Sequence, residues 1–429
     1  QYQQGSVKGR VQCGPCSVTL QYDAMGMKLT CALLLLCSLA GRGAGQDVYQ
    51  LGEHLQHFTK ARHPLEVGSR EEARSYIKDR FRKYGLEVSS HYFNTSMHIN
   101  GYLETIVGEN VVGVAEGTEK EPILLVGADY DTTMQHNPLE NNGAGVAAML
   151  EVARNYMKET QPGGHFIRNR TIVFVAFDLN TREYRSDSSA GRPGSYYFVH
   201  QWLWPRLDLL SFGGAIILDS ISRFSMEPKT QHLPYGFSQT FPEAYKKIIE
   251  DDLKGNFLAL VTRGTSQSRR LAQTFMDNYS KHRKAGLVRV QEMVLETSAP
   301  INNNVLEMIN HQAHYHFWAF QPSDKPTALP ALLITDTDVY RRSSEVCPHP
   351  CTSEAFLTRR RQQAISLTCE GLIHTLLELQ AERRPGTTEG SNGSSSLVSV
   401  TATWVMIVMA ALLTNPHHTH THRPFVALK

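Results

Sequence analysis

The chain lacks an excess of charge of either sign. Lys and Arg number 43 against 41 Asp and Glu, so no net field favours a polyanion and nucleic acid is excluded as the expected partner. The basic cluster Arg359, Arg360, Arg361 reads accordingly as a solvated helix face. Cysteine is scarce, with seven in 429 residues. Cys13, Cys16, Cys31 and Cys37 crowd the first positions, and the Cys13-Gly-Pro-Cys16 pair is not read as a redox motif. Cys347, Cys351 and Cys369 remain, too few for a disulfide-held scaffold. A zinc site at Cys347 and Cys351 lacks neighbouring partners. Long hydrophobic runs without charge are confined to the two ends.

The first run lies in 27–45, MKLTCALLLLCSLAGRGAG, where one lysine precedes an apolar stretch and then small residues. That pattern is expected to be a secretory signal peptide, with 1–26 an upstream leader outside the fold. Export implies an oxidising setting, so one disulfide is expected among Cys347, Cys351 and Cys369, its pairing left open. It also gives meaning to four glycosylation sequons, at Asn94, Asn169, Asn278 and Asn392.

The second run, 397–414, follows a polar Gly- and Ser-rich linker over 385–396 and precedes a polar tail, 415–429. Asn392, Gly393 and Ser394, then a short spacer and an apolar tail, fit a glycolipid-anchor attachment signal. A single-pass helix is the alternative, since the run is just long enough to span a bilayer and the chain continues past it. Both readings put the domain between 46 and 384 at the cell surface, with the membrane as a partner. The HHTHTH run, 417–422, lies past this segment and is set aside as incidental.

Within that domain helix and strand alternate. The stretch 69–85 places Ala73, Ile77, Phe81 and Tyr84 on one stripe, with Gly85 as the stop. Residues 143–157 do the same with Val146, Leu150, Ala153 and Met157. EPILLVGAD (121–129), RTIVFVAFDL (170–179), GGAIILDSI (213–221) and LPALLITD (329–336) are apolar runs of buried-strand length. Such runs separated by helices predict an α/β fold: a mostly parallel, twisted sheet with helices on both faces. Ligand sites in such sheets gather at the carboxyl ends of strands, where Asp129, Asp131, Asp178, Asp219 and Asp336 fall.

The ordered blocks YGLEV, ENVVGVAEGT, VGADYDT, NNGAGVAAMLEVAR, VFVAFDLN, GSYYFV, AIILDSI and LPALLITDTDVYR resemble the M28 family of zinc exopeptidases. The resemblance spans 62–345 and implies the phosphorylase/hydrolase-like zinc-peptidase fold. It also implies a ligand set, and most of that set is substituted here. Asp129 stands where the family has a metal-binding histidine; Asp131, which orients that histidine, is kept. Asn141 replaces the bridging aspartate. Asn180 and Thr181 replace a Glu-Glu pair of general base and ligand. Asp219 matches, and the last histidine position falls at Val346, with His349 out of register.

Zinc takes thiolate, imidazole or carboxylate donors, and a neutral amide cannot bridge two dications. The missing base alone costs on the order of 100- to 10,000-fold in rate. The expected function is therefore a catalytically inactive, surface-displayed M28-like domain that binds a protein or peptide at the retained cleft, with no cofactor. The alternative is a metal-dependent exopeptidase with altered ligands, holding zinc; a cyclising transferase on the same fold would need zinc equally. A rebuilt oxygen cluster from Asp129, Glu140, Glu183, Asp219 and His349 would suit calcium or magnesium. His314 and His316, beside Phe317, Trp318 and Phe320, read as a packed aromatic edge rather than a metal pair.

Overall fold

The computed structural model describes residues 7–13, 16–22, 50–99, 102–180, 191–207, 212–283, 288–296, 302–309, 312–321, 328–343, 345, 347–348 and 350–385. The expected signal segment, the anchor run, Asn392, Gly393, Ser394, Thr181, Glu183, Val346 and His349 lie outside them. Among the described residues no helix is long and apolar enough to cross a membrane. The chain divides into two compact units, Gln1–Glu382 and Arg383–Lys429. In the first, Val7–Cys13 and Cys16–Tyr22 pair as an antiparallel hairpin.

The principal sheet has eight strands: β1 (Glu87–Ile99), β2 (Tyr102–Ala115), β3 (Glu119–Asp129), β4 (Arg170–Phe177), β5 (Phe212–Asp219), β6 (Phe257–Arg263), β7 (Arg289–Leu295) and β8 (Ala331–Thr335). Their spatial order is β7-β6-β8-β5-β3-β4-β2-β1. The sheet is mixed. Parallel pairing joins β7 to β6, β8 to β5, β5 to β3 and β3 to β4. β6 enters reversed against β8, and the long β1–β2 hairpin adds two antiparallel pairings at one edge. The four strands read from the sequence are thus the parallel centre, β3, β4, β5 and β8.

Alternate residues of these strands feed two cores. Leu124, Val126, Ile172, Phe174, Ile216, Leu218, Leu332 and Ile334 face helices α1 (Val67–Lys83), α2 (Ala144–Thr160), α3 (Ser266–His282) and α4 (Arg359–Gln380). Leu125, Val173, Val175, Ile217, Ala331 and Leu333 face Phe198, Ile248, Phe317 and Trp318 on the other side. A strand buried on both faces has no polar alternation to show, which is why each reads as a continuous apolar run.

Helix α1 buries Ala73, Ile77 and Phe81 and stops as its sequence requires. Gly85 adopts φ +83, donating its amide to Arg82 O while Leu86 N donates to Phe81 O at 3.1 Å. Those two bonds close the last turn around a residue without a Cβ. Helix α2 is buried on nearly every side from Ala144 to Ala153. Its Ala and Gly residues let the sheet and α4 approach together. Cys347 and Cys351 form a disulfide, and the Cys369 thiol is buried outside it, donating to Ala148 O at 3.8 Å. His314 packs edge-on to Trp318 with ring centroids 4.4 Å apart, and His316 packs against Tyr196.

The sequons fare differently. Asn94 is exposed and Asn169 half-buried. Asn278 is 4 % exposed, its amide donating to Glu378 at 2.9 Å and to Thr274 O. That packing leaves no room for a glycan at Asn278.

Phe174 is fully buried at the sheet–α1 junction, with its ring centroid 6.3 Å from that of Phe81. Phe174→Ala should lower unfolding free energy by about 3–5 kcal/mol, read from the urea midpoint. A loss under about 1 kcal/mol would mean this core is looser than the packing implies.

Candidate functional site

The parallel register sets Asp129 beside Phe177 and Asp219 beside Thr335. Asp129, Asp178, Asn180, Asp219 and Asp336 therefore gather along one edge of the sheet. The chain turns sharply there. Leu179, Ser220, Thr337 and Asp338 all have positive φ, from 43° to 75°. For residues with a Cβ each such backbone costs on the order of 1 kcal/mol or more, and it persists only where hydrogen bonds hold it.

The first group of such bonds centres on Asn180. Its Nδ2 donates to Asp129 Oδ1 at 2.7 Å. Its backbone N–H donates to both carboxylate oxygens of Asp131, at 3.1 and 3.0 Å. Its Oδ1 accepts from Ser195 N at 3.2 Å and Ser195 Oγ at 2.8 Å. A glutamate at 180 would set two carboxylates against each other at the distance now spanned by amide and Asp129. The substitutions at 129 and 180 are thus mutually consistent: aspartate for imidazole, amide for base. Asp131, the residue the resemblance makes an orienting partner of a metal-bound imidazole, instead holds this turn.

Asn142 ties the strand ends together. Fully buried, it donates to Leu218 O at 2.8 Å and to Asp129 O at 3.4 Å, and its Oδ1 accepts from Ser220 N at 3.1 Å. Beside it, Asn141 donates to Asp338 Oδ2 at 3.3 Å.

A second group is built on arginine. Arg223, just past β5, donates to Glu140 Oε2 at 3.1 Å and to Asp338 Oδ1 at 2.8 Å. Arg361 donates to the other Glu140 oxygen at 2.9 Å. Asp336 accepts three backbone N–H bonds, from Ser222, Arg223 and Asp338, at 2.7 to 2.9 Å. Burial works against the Arg223 charge, yet Asp338, Asp336 and Glu140 outweigh it and hold the guanidinium above its ordinary pKa. Burial pushes the Asp336 carboxyl up to about 6, with Arg223 and Arg341 pulling the other way. Arg341, fully enclosed, falls to about 9 by burial, opposed by Asp336.

One expectation is corrected here. Arg361 is not on a solvated face; it is 2 % exposed, whereas Arg359 and Arg360 are exposed. The reason is position, since its N–H caps on Thr358 in the first turn of α4 while its side chain reaches in to Glu140. Each Glu140 oxygen accepts from a guanidinium, and a calcium or magnesium ion at this residue would have to displace both.

The metal that the family resemblance implies therefore fits these residues poorly. Asp129 is bonded by an amide, Glu140 by two guanidiniums and Asp338 by a guanidinium and an amide, while Asp219 is buried at the end of β5. Among the described residues, no group of three or more His, Cys, Asp or Glu side chains with ligand atoms within 4.8 Å of one another lies at these strand ends.

Residues 110–259 match Peptidase family M28. The resemblance read from the blocks thus holds over β2 to β6, which contain the whole group around Asn180 but only Glu140, Ser222 and Arg223 of the second group. No curated protein matches the chain. Among solved structures, Macrostomum lignano glutaminyl cyclase is similar with a TM-score of 0.52 at 13% identity, over 79% of this chain and 90% of that one. That likeness establishes the zinc-peptidase and cyclase fold. A Zn-dependent exopeptidase from Parabacteroides distasonis ATCC 8503 has a TM-score of 0.43 at 14% identity, over 77% of this chain and 96% of that one. The LapA aminopeptidase of Legionella pneumophila has 0.46 at 14%, over 79% of this chain and 73% of that one.

The sequence reading missed Arg223 and Arg361. The signal for Arg223 is a lone arginine soon after an acidic strand end, in DSISRF, where a ligand loop of this fold has little use for fixed positive charge. Glu140→Gln keeps the shape but removes the anion between two guanidiniums. It should lower stability by about 1–3 kcal/mol in urea denaturation, by the same amount with zinc or with a chelator present. A loss seen only in the presence of a divalent cation would make Glu140 a metal ligand.

Proposed function

We propose that this M28-like domain acts by binding a protein or peptide and does not hydrolyse its ligand, displayed on the extracellular face of the plasma membrane. The observation that carries the reading is the Arg223 guanidinium lodged between Glu140 and Asp338, 3.1 and 2.8 Å away. A fixed monocation with its own carboxylates supplies neither a Lewis acid nor an ionised water. Asn180, at the position of the family's general base, has no proton-accepting form and spends its amide on Asp129 and Ser195.

The loop after β3 still opens on a cavity of about 760 Å³, lined by Met134, His136, Pro138, Pro350, Thr352 and Glu354 among others. Its size suits a few residues of an extended chain. The signal pattern of 27–45 supports the surface location, as does the apolar run of 397–414, whose cleavage in exchange for a glycolipid would leave the anchor on Asn392, Gly393 or Ser394.

The test is an aminopeptidase assay of the secreted domain with added zinc, run beside Asp219→Asn. Turnover at the level of the blank is expected for both, unchanged by chelator. Turnover that a chelator abolishes and that Asp219→Asn removes would establish the metal-dependent exopeptidase instead. On cells, phosphatidylinositol-specific phospholipase should release the protein; retention would assign 397–414 as a spanning helix.

A further inference from the structure

Away from the strand ends, helices α3 and α4 bring two imidazoles and a carboxylate together. His282 is the last residue of α3. Glu370 and His374 lie four residues apart on α4, on one face of that helix. His282 Nδ1 lies 3.1 Å from Glu370 Oε1. The rings of His282 and His374 stack with centroids 4.4 Å apart and planes 15° from parallel. One ligand atom from each of the three lies within 4.8 Å of the others, and this is the one such trio among the described residues.

The helices beneath the trio are held rigidly. A Cβ on Gly371 would meet Phe275 Cε2 and Tyr279 Cα, each at 3.2 Å, so glycine is what lets α4 press onto α3 next to Glu370. Farther along the same antiparallel seam Asn278 donates to Glu378 at 2.9 Å. Glu370 and His374 therefore face His282 by backbone placement, not by the reach of long side chains.

We propose that His282, Glu370 and His374 bind one borderline divalent cation, zinc as the type ion, as a staple between α3 and α4. Two imidazoles and one carboxylate favour zinc, copper or nickel over calcium or magnesium. Zinc–nitrogen bonds of about 2.0–2.1 Å place tetrahedral ligand atoms about 3.3 Å apart, and small side-chain rotations close the present spacing to that. Three protein ligands leave a fourth position for water. Glu370 and His374 are exposed, so the ion enters from solvent with no cleft around it, which fits a staple better than a catalyst. The site is independent of the cleft: it stands whether or not the domain hydrolyses peptides.

The full chain is equilibrated with zinc, freed of excess and analysed for metal beside His282→Ala/His374→Ala and Glu370→Gln. The double variant should retain one zinc fewer per chain than the wild type; ions held by the His417–His422 run are common to both and cancel. Zinc, and not calcium, should raise the melting temperature of the wild type and leave that of the double variant unchanged. Cobalt should develop the strong visible absorption of a tetrahedral site in the wild type and lose it in Glu370→Gln, a single conservative change on an exposed residue. Equal zinc content in wild type and double variant would overturn the proposal, as would a wild-type melting temperature that zinc does not move.

Discussion

A guanidinium stands at the centre of the strand-end loops, and their arrangement depends on it. Arg223 bonds Glu140 at the entry to α2 and Asp338 after β8, while its own backbone N–H bonds Asp336. Arg361 joins from the first turn of α4 through the second oxygen of Glu140. Four segments distant in sequence are thus tied by charge-assisted bonds in a place shielded from water. Such bonds are stronger than neutral ones, and leaving any one member unpaired is costly. The sharp turn at Asp338 is held by the same contacts, that at Ser220 by Asn142 and that at Thr337 by Gln231.

This network holds the strand-end loops of a zinc-peptidase fold with the chain's own charges. In the family pattern, carboxylates and imidazoles converge on dications that balance their charge. Here positive charge comes from the chain itself, and amides take over where carboxylates would repel. Asn180 bonds Asp129, Asn142 bonds the ends of β3 and β5, and Asn141 bonds Asp338. Through Asp129, Leu218 and Asp338 these amides tie the same strand-end loops.

Much of the architecture was legible in the sequence because the central strands are buried on both faces. β3, β4, β5 and β8 are continuous apolar runs, and Gly85 punctuates α1 where only a residue without a Cβ fits easily. The β1–β2 hairpin was not read, although His91, Phe93 and Met97 alternate with exposed Tyr92 and Asn94 and Asn100-Gly101 is a turn signal between two such runs. It was passed over because its apolar residues are diluted by polar ones on the open face. The bonding of the strand-end residues was not legible. Arg361 belongs to a run of three arginines, and nothing local distinguishes the one turned inward; its partner Glu140 lies more than two hundred positions earlier in the chain.

The same limit bears on the polar groups at the strand ends, whose partners the letters do not show. The geometry shows their donors and acceptors to be saturated. Both Glu140 oxygens, both Asp131 oxygens and both ends of the Asn180 amide have partners within hydrogen-bond distance. Polar groups satisfied by one another have little to gain from a cation and much to lose by rearranging for it. A binding surface has the opposite requirement, since its contacts must be fixed before the ligand arrives if affinity is not to be spent on ordering them. A strand-end edge locked by internal bonds, beside an open cavity, is fixed in that sense.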